Sequence, residues 1–260
     1  MNKKAPVVNL EVGNQKEAKI VFLGDIHYGH NNCSKDSLKE TITYVKNNRN
    51  AYVVLMGDLI ELAIENHLPG SMYTQEMTPN QQRKDMVELL KPIKHRIIGG
   101  IAGNHEITRG WKLNSISPME IMCEGLNIPY WGIGGYLIIN LRKKGKVLQT
   151  YKLLLFHGVG NSTTPQYLIN KALKIYTDPD VVAMGHSHNL SSGSNYFVVI
   201  DEVTHEIKQK EIVWIRTGSY LNSPDYAIEK LYPPSAIGSP IALLQSNEKV
   251  VYVNYLKYLK

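Results

Sequence analysis

Five short segments carry most of the side chains in this sequence that could do metal chemistry. They are Gly24-Asp25-Ile26-His27, Gly57-Asp58, Gly103-Asn104-His105-Glu106, His157-Gly158 and Gly185-His186-Ser187-His188. Six of the nine histidines lie in or just beyond four of them: His27, His30, His105, His157, His186 and His188. Neutral imidazoles and carboxylates together are a ligand set for borderline divalent cations. Each segment alone has an ordinary reading. An isolated Asp-x-His is a helix N-cap with a surface histidine, and an isolated Gly-Asn-His-Glu is a turn. Gly-His-x-His is more telling, because alternating side chains at a strand end can chelate. The joint occurrence, in order and each behind an apolar run, makes chance a poor explanation.

The elements that must position these segments are legible from apolar periodicity. Ala18–Gly24, Ala51–Gly57 and Arg96–Ala102 read as buried strands that each run into one of the five segments. Val181–Met184 is another, ending at Gly185. Ser34 or Asp36 is expected to cap a helix reaching about Asn48, and a further helix is expected directly after Gly57. Leu68-Pro69-Gly70-Ser71 reads as a turn. Thr78-Pro79 predicts an N-cap and first-turn proline for a helix to about Leu90, with Met86, Val87, Leu89 and Leu90 facing the core. Ser117-Pro118 starts another helix containing Ile121 and Met122, and Pro165–Tyr176 a later one. Tyr130–Phe156 reads as a hairpin turning at Arg142-Lys143-Lys144-Gly145-Lys146. Further hairpins are expected from Tyr196–Ile200 with Glu206–Ile215, turning near Asp201–Thr204, and from Ile241–Leu244 with Val250–Tyr255. Helices alternate with strands early and hairpins follow, which predicts an α/β sandwich with mixed central sheets flanked by helices. We expect a single domain over residues 1–260. Functional groups in such sheets collect at the carboxyl ends of strands, where the five segments fall.

As an ordered set the five blocks resemble the signature of the calcineurin-like metallophosphoesterase superfamily: Asp-x-His, Gly-Asp, Gly-Asn-His-Asp/Glu, His and Gly-His-x-His. They span residues 24 to 188. The resemblance is specific for the superfamily and silent on the substrate. It implies a metallophosphoesterase-type sandwich. It also implies that Asp25, His27 and His188 hold one metal ion, that Asn104, His157 and His186 hold a second, and that Asp58 bridges both. His105 would face the phosphoester and protonate the leaving oxygen, with metal-bound hydroxide as nucleophile. The physical chemistry is consistent: two divalent ions about 3.5–4 Å apart clamp a phosphate and activate water. Two aspartates, one amide and four histidines suit Mn²⁺, Fe or Zn²⁺ better than Ca²⁺ or Mg²⁺, and the absence of thiolate argues against a structural zinc site. Mn²⁺ is the first expectation, with Fe, Zn²⁺ and Ni²⁺ compatible.

Glu61 follows Asp58 by three residues, where the superfamily often has an Asp that hydrogen-bonds the catalytic histidine. It could orient His105 and raise its pKa, or simply face solvent in the first turn of a helix. Leu62 departs from the protein Ser/Thr phosphatase branch, whose Gly-Asp-x-x-Asp-Arg-Gly carries a phosphate-gripping Arg there. Arg109 could supply such a charge; a surface salt bridge is its plainer reading. His30 is either a substrate contact or a loop residue. His67, His95 and His205 read as structural or surface residues.

Composition bounds what remains. The chain has 260 residues, 43% hydrophobic and 20% charged, ordinary values for a globular protein. No apolar run approaches the roughly 20 residues of a membrane span, and no apolar stretch follows the basic residues near the start, so no membrane partner and a cytoplasmic location are expected. Two cysteines, Cys33 and Cys123, read as reduced thiols. The formal charge of +6 permits a polyanionic partner. The basic run at 142–146 reads as a solvated turn, with a phosphate contact as the alternative. Sixteen tyrosines against three phenylalanines could stack on bases or fill cores and sheet faces.

Hydrolysis of a phosphodiester or monoester is therefore expected. A nuclease acting on DNA or RNA and an enzyme of small nucleotides are the two substrate classes. No separate capping domain after Gly193 is legible that could channel duplex DNA, and the Arg216–Pro240 segment reads as a loop near the site. A non-catalytic scaffold of the same fold is the rival from another class; it should lack several ligands or His105, and this chain lacks none.

Overall fold

The computed structural model describes residues 4–64, 71–113, 115–158, 165–176, 178–201, 203–222 and 236–258. The chain runs β1 (Val7–Glu11), β2 (Glu17–Leu23), α1 (Lys35–Asn47), β3 (Ala51–Leu55), α2 (Pro79–Leu90), β4 (Ile97–Gly100), α3 (Pro118–Leu126), β5 (Gly134–Lys143), β6 (Lys146–Phe156), α4 (Pro165–Ile175), β7 (Val181–Met184), β8 (Ser191–Ile200), β9 (Ile207–Arg216), β10 (Ile237–Gln245) and β11 (Val251–Tyr258). A π-helical segment, His105–Lys112, lies between β4 and α3.

Two mixed sheets form, in the orders β1-β5-β6-β7-β9-β8 and β11-β10-β2-β3-β4. The period-two pattern of β2 explains their stacking. Ile20 and Phe22 face the other sheet, where they join Leu137, Ile139, Leu153 and Ile215 in one core. Val21 and Leu23 face the opposite way, against Leu38 and Ile42 of α1, Met86 and Leu90 of α2 and Met122 of α3. On the far side of the six-stranded sheet, Leu154, Val182 and Ile212 pack on Ile169 of α4. The result is the expected sandwich, helices on sheet on sheet on helix. Each fully buried Leu or Ile in these layers contributes about 1.5–3 kcal/mol relative to exposure.

Several local expectations hold. Thr78 accepts a hydrogen bond from the Gln81 N–H, with Pro79 in the first turn of α2. Met86 and Leu90 are fully buried, while Val87 and Leu89 pack at the margin of the core. The basic run turns between β5 and β6 with Lys144 and Gly145 both at positive φ, 50° and 79°. Both cysteines are buried and free, and burial pushes each thiol up to about 12.

Other expectations need correction. No helix follows Gly57: residues 58–64 run as irregular chain, with isolated bridge pairing at Ile60 and Ile64. Their backbone donors go to distant acceptors instead. The Asp58 and Leu59 N–H groups donate to the Glu106 carboxylate, Glu61 N–H to the Tyr28 carbonyl, and Leu62 N–H to Gln82 Oε1. Leu62 adopts φ 50°, which a helix forbids. Ser34 occupies the N-cap position of α1 but bonds Ser37 Oγ rather than a backbone N–H. Strand β1, unforeseen, pairs in parallel with β5. The turn at Leu68-Pro69-Gly70, His67 and most of the 216–240 loop lie outside the described residues; 216–222 and 236–240 lie within them. No helix among the described residues is long and apolar enough to cross a membrane.

Candidate metal centre

The site forms where six strands end. From the five-stranded sheet, β2 delivers Asp25 and His27, β3 delivers Asp58, and β4 leads to Asn104 and His105. From the six-stranded sheet, β6 delivers His157, β7 delivers His186 and His188, and β9 delivers Thr217. The loops after β3 and β4 cross backbone to backbone. A Cβ on Gly57 (φ 84°) would lie 2.2 Å from the Gly103 nitrogen, and one on Gly103 would lie 2.1 Å from Asp58 Oδ1. Only glycine at both positions lets Asp58 and Asn104 come together.

Three overlapping donor groups result: Asp25 with His27 and His188; Asp58 with His157 and His186; and His27, Asp58 with His105. His188 Nε2 lies 3.0 Å from His27 Nε2 and 3.4 Å from Asp25 Oδ1. His157 Nε2 lies 3.1 Å from both Asp58 Oδ2 and Asn104 Oδ1, and His186 Nδ1 lies 2.7 Å from Asn104 Oδ1. Asp25, His27, Asp58 and His157 are almost fully buried. Five of these residues have left-handed backbone: Asp25, His27, Asp58, His186 and His188, with φ between 49° and 65°. Each such residue costs of order 1 kcal/mol and persists only where surroundings over-determine it.

The surroundings are specific. Glu61 Oε2 accepts the His27 Nδ1 hydrogen (3.0 Å), and the Met56 carbonyl accepts that of His157 Nδ1 (2.7 Å). Both rings therefore turn an Nε2 lone pair inward, the carboxylate–histidine and carbonyl–histidine arrangement of a metal ligand. Thr217 Oγ1 donates to Asp25 Oδ2 (2.7 Å), and the His186 N–H donates to the same carboxylate. Glu106, buried to 1% exposure, accepts from Asp58 N–H (2.9 Å), Leu59 N–H (2.8 Å) and Gly103 N–H (2.9 Å), locking the two crossing loops. Burial and the nearby Asp58 carboxylate push Glu106 up to about 7.

The donor set fits divalent ions on an observation of its own chemistry. With Nδ1–H committed to Met56, His157 Nε2 faces two oxygen acceptors, which repel its lone pair. Without an ion the cluster must put a proton there: burial opposes it, but Asp58 and Asp25 raise His157 to about 10. A cation satisfies the same oxygens and leaves the imidazole neutral. Asp58 likewise stays ionised: burial works against its charge, and His105 and His157 hold it well below the usual carboxylate range.

The model of the calcineurin-like phosphoesterase family matches residues 18–211. The chain belongs to this family. No curated sequence matches the chain. Among solved structures it is similar to Vacuolar Protein Sorting 29 from Cryptosporidium parvum, at 15% identity and TM-score 0.45, covering 95% of this chain and 100% of that one. A metallophosphoesterase from Sphaerobacter thermophilus is similar at 12% identity and TM-score 0.45, over 93% of this chain and 89% of that one. A hypothetical protein from Pyrococcus horikoshii is also similar at 12% and 0.45, over 94% and 89%. Calcineurin-like phosphoesterases bind divalent metals, and the aspartate–histidine cluster is where this member would hold them.

The structure brings all seven expected ligands and His105 to one place and revises their neighbours. The Glu61 carboxylate hydrogen-bonds His27 and also stands 3.7 Å from His105 Nδ1, whose hydrogen goes to the Glu61 carbonyl (2.7 Å). His105 is not raised: burial lowers it to about 4. Glu61 is buried rather than solvent-facing, and no helix surrounds it. Burial opposes its charge, but the His27 hydrogen bond and the charges of His27, His105 and Arg109 hold it well below the usual range. Arg109 pairs with Glu61 at 2.9 Å as a salt bridge, but a buried one, at 4% exposure. His30 is buried with Nδ1 accepting the Asn32 N–H, and it joins none of the donor groups among the described residues. His95 and His205 are exposed.

Three supporting residues escaped the sequence reading. Glu106 was visible inside its own block. Thr217 sits at a sixth strand end, which a search for ligands alone passes over. Arg216, buried beside it, donates from Nε to Ser191 Oγ (2.8 Å) and reaches Ser187, between the candidate ligands His186 and His188. Glu106→Gln tests the loop lock. An amide offers one acceptor oxygen and turns N–H groups toward N–H donors, so unfolding free energy should fall by about 2–4 kcal/mol. Urea denaturation of the metal-free variant checks this; a loss under about 0.5 kcal/mol would show that Glu106 does not hold the loops.

Proposed function

We propose that the chain hydrolyses phosphoesters at a pair of divalent ions sharing Asp58. The observation that carries this reading is one buried carboxylate, Asp58, shared by the His157–His186 group and by the group with His27, which links it to Asp25 and His188, with His105 Nε2 standing 3.9 Å from Asp58 Oδ2. Asp25, His27 and His188 would hold one ion with Asp58. Asn104, His157 and His186 would hold the other, with Mn²⁺ best suited to this mix of oxygen and imidazole. Bound there, the ions supply Lewis acidity toward the phosphoryl oxygens and lower the pKa of water.

The chain's own residues do the rest. Glu61 and the Met56 carbonyl fix the tautomers of His27 and His157, and Thr217 occupies Asp25 Oδ2 so that Oδ1 faces the cluster. The Glu61 carbonyl fixes His105 Nδ1–H, leaving Nε2 to carry the proton given to the departing oxygen. The formal charge of +6 supports a nucleic acid or nucleotide substrate. So does the exposed Trp111 ring, on the π-helical segment that begins at His105. The intact donor set weighs against a scaffold role.

The test joins metal content to turnover. Mildly purified chain should carry about two ions, and Mn²⁺ should restore hydrolysis of a chromogenic phosphodiester after chelation. A panel of single-stranded DNA, duplex DNA, RNA, cyclic nucleotides and simple monoesters then ranks substrates. Protein that binds no metal, or binds it and hydrolyses nothing on that panel, would sink the proposal.

A further inference from the structure

Two arginines are buried among the described residues, and both stand by the metal centre. Arg109 is neutralised by Glu61 at 2.9 Å. Arg216, 4% exposed, has the hydroxyls of Ser191 and Ser187 beside its nitrogens and, among the described residues, no carboxylate. Burial alone acts on it and lowers it to about 10, so it stays charged at pH 7. A charge withdrawn from water without a counter-charge is costly, and departures of this kind gather at functional sites.

The strands set its place. Arg216 ends β9, opposite Met184 at the end of β7 on one side and Ser191 at the start of β8 on the other. Those two residues bracket the loop that carries His186 and His188. Arg216 follows Ile212 and Trp214 on the face that meets α4, while Val213 and Ile215 enter the core between the sheets. The next residue, Thr217, turns back to Asp25 Oδ2. The guanidinium therefore lies against the histidine loop, outside the donor groups. Nε donates to Ser191 Oγ (2.8 Å), and Nη1 stands 3.5 Å from Ser187 Oγ. Among the described residues Nη2 has no hydrogen-bond partner, and it is not sealed off, so it opens on solvent beside His186-Ser187-His188. A buried stem with one edge exposed is a pre-organised donor for an oxyanion.

We propose that Arg216 binds a second phosphate of the substrate, next to the one at the metal centre. The inference rests on the phosphoesterase reading of that centre. Ser187 lies between the histidines, and no candidate ligand side chain hydrogen-bonds the guanidinium. An anion on Nη2 thus stands beside the metal-held phosphoryl and not in its place. Phosphate oxygens match the planar guanidinium edge, and they bring the counter-charge that Arg216 lacks. The substrate class narrows to a nucleic-acid strand with consecutive phosphodiesters. Cyclic nucleotides and simple monoesters carry one phosphate and leave Nη2 unused.

The trinucleotide TpTpT and the same trinucleotide with either linkage made a neutral methylphosphonate differ by a single charge. Calorimetric titration of the full chain reads their binding with and without Mn²⁺, and turnover is followed with Mn²⁺. Wild type should bind TpTpT at least ~10-fold tighter than both neutral-linkage forms, with KM lower by a similar factor and kcat little changed. Arg216→Gln should keep its metal and cut that preference to within ~2-fold. Arg216→Lys, which keeps the charge without the fork, should fall between, and it decides the matter if the glutamine variant does not fold. A wild type without the preference overturns the proposal, as does a variant that retains it. Equal weakening toward all three ligands also overturns it, because Arg216 would then only brace the loop. Preference in binding that vanishes in the variant, with no ligand hydrolysed, would keep the phosphate site and remove the hydrolytic reading. Hydrolysis of all three alike would do the reverse.

Discussion

Asp58→Ala should leave the chain with fewer than about 0.2 ions and lower kcat/KM by at least ~10³-fold, because one carboxylate serves both halves of the centre. Asp58 Oδ2 is 3.1 Å from His157 Nε2 and 4.0 Å from His27 Nε2, so its loss strips a charge from both donor groups that contain it. The other carboxylate oxygen, Oδ1, accepts the His105 N–H at 2.8 Å and so helps hold the loop after β4. Asp58→Asn separates the two roles. Asparagine keeps that acceptor and nearly the same volume while removing the charge. It should fold as wild type does and still lose most of its metal. Elemental analysis of both variants decides the matter. Two ions retained in Asp58→Ala would rule out a bridging role, and one retained ion would assign Asp58 to a single site.

His105→Ala should keep both ions and lose turnover, by about 10²–10⁴-fold on an alkyl diester and far less on a nitrophenyl one. The difference comes from the leaving group. Nitrophenolate departs unaided, whereas an alkoxide needs a proton, and Nε2 of His105 is the group placed to give it. Burial lowers this imidazole to about 4, so in the free protein it is neutral at pH 7. A bound phosphoryl group brings the negative charge that raises it and lets the proton ride on Nε2. The Glu61 carbonyl holds the other nitrogen throughout. His105 also stands in a donor group with His27 and Asp58. If His105→Ala loses metal, the residue is a ligand and not an acid. Equal losses on both leaving groups would remove proton transfer from its role.

The candidate ligands were legible because each sits at the mouth of an apolar run, where strand and loop change character within a few residues. Their companions were not, for a physical reason that recurs. Asp58–Ala63 looks helical because nothing nearby in sequence offers other partners for its N–H groups. Those partners are Glu106, Tyr28, Gln82 and Gln75, brought in only by the fold. The superfamily resemblance placed Glu61 near His105, and its carboxylate does stand 3.7 Å from that ring; what an irregular chain adds is the hydrogen bond to His27 and a carbonyl that takes the His105 hydrogen. Strand β1 is five residues of modest apolarity whose parallel partner begins more than a hundred residues later, a pairing that periodicity cannot reveal. The sandwich itself was readable, since the alternation in β2 alone requires a layer on each side.

The donors of the centre come from both sheets: Asp25, His27 and Asp58 follow strands of one, and His157, His186 and His188 follow strands of the other. An ion held by His27 and His188 would join positions 161 residues apart in the folded chain. Unlike a disulfide, such an ion leaves when the chain unfolds, so it would stabilise by binding the folded state alone, by about 2.7 kcal/mol at a hundredfold excess over its Kd. Chelation would then act on the whole molecule as well as on its chemistry. A protein starved of metal would keep the apolar core between its sheets and lose only this added stability, so the supply of the ion would set how often each copy opens to proteolysis.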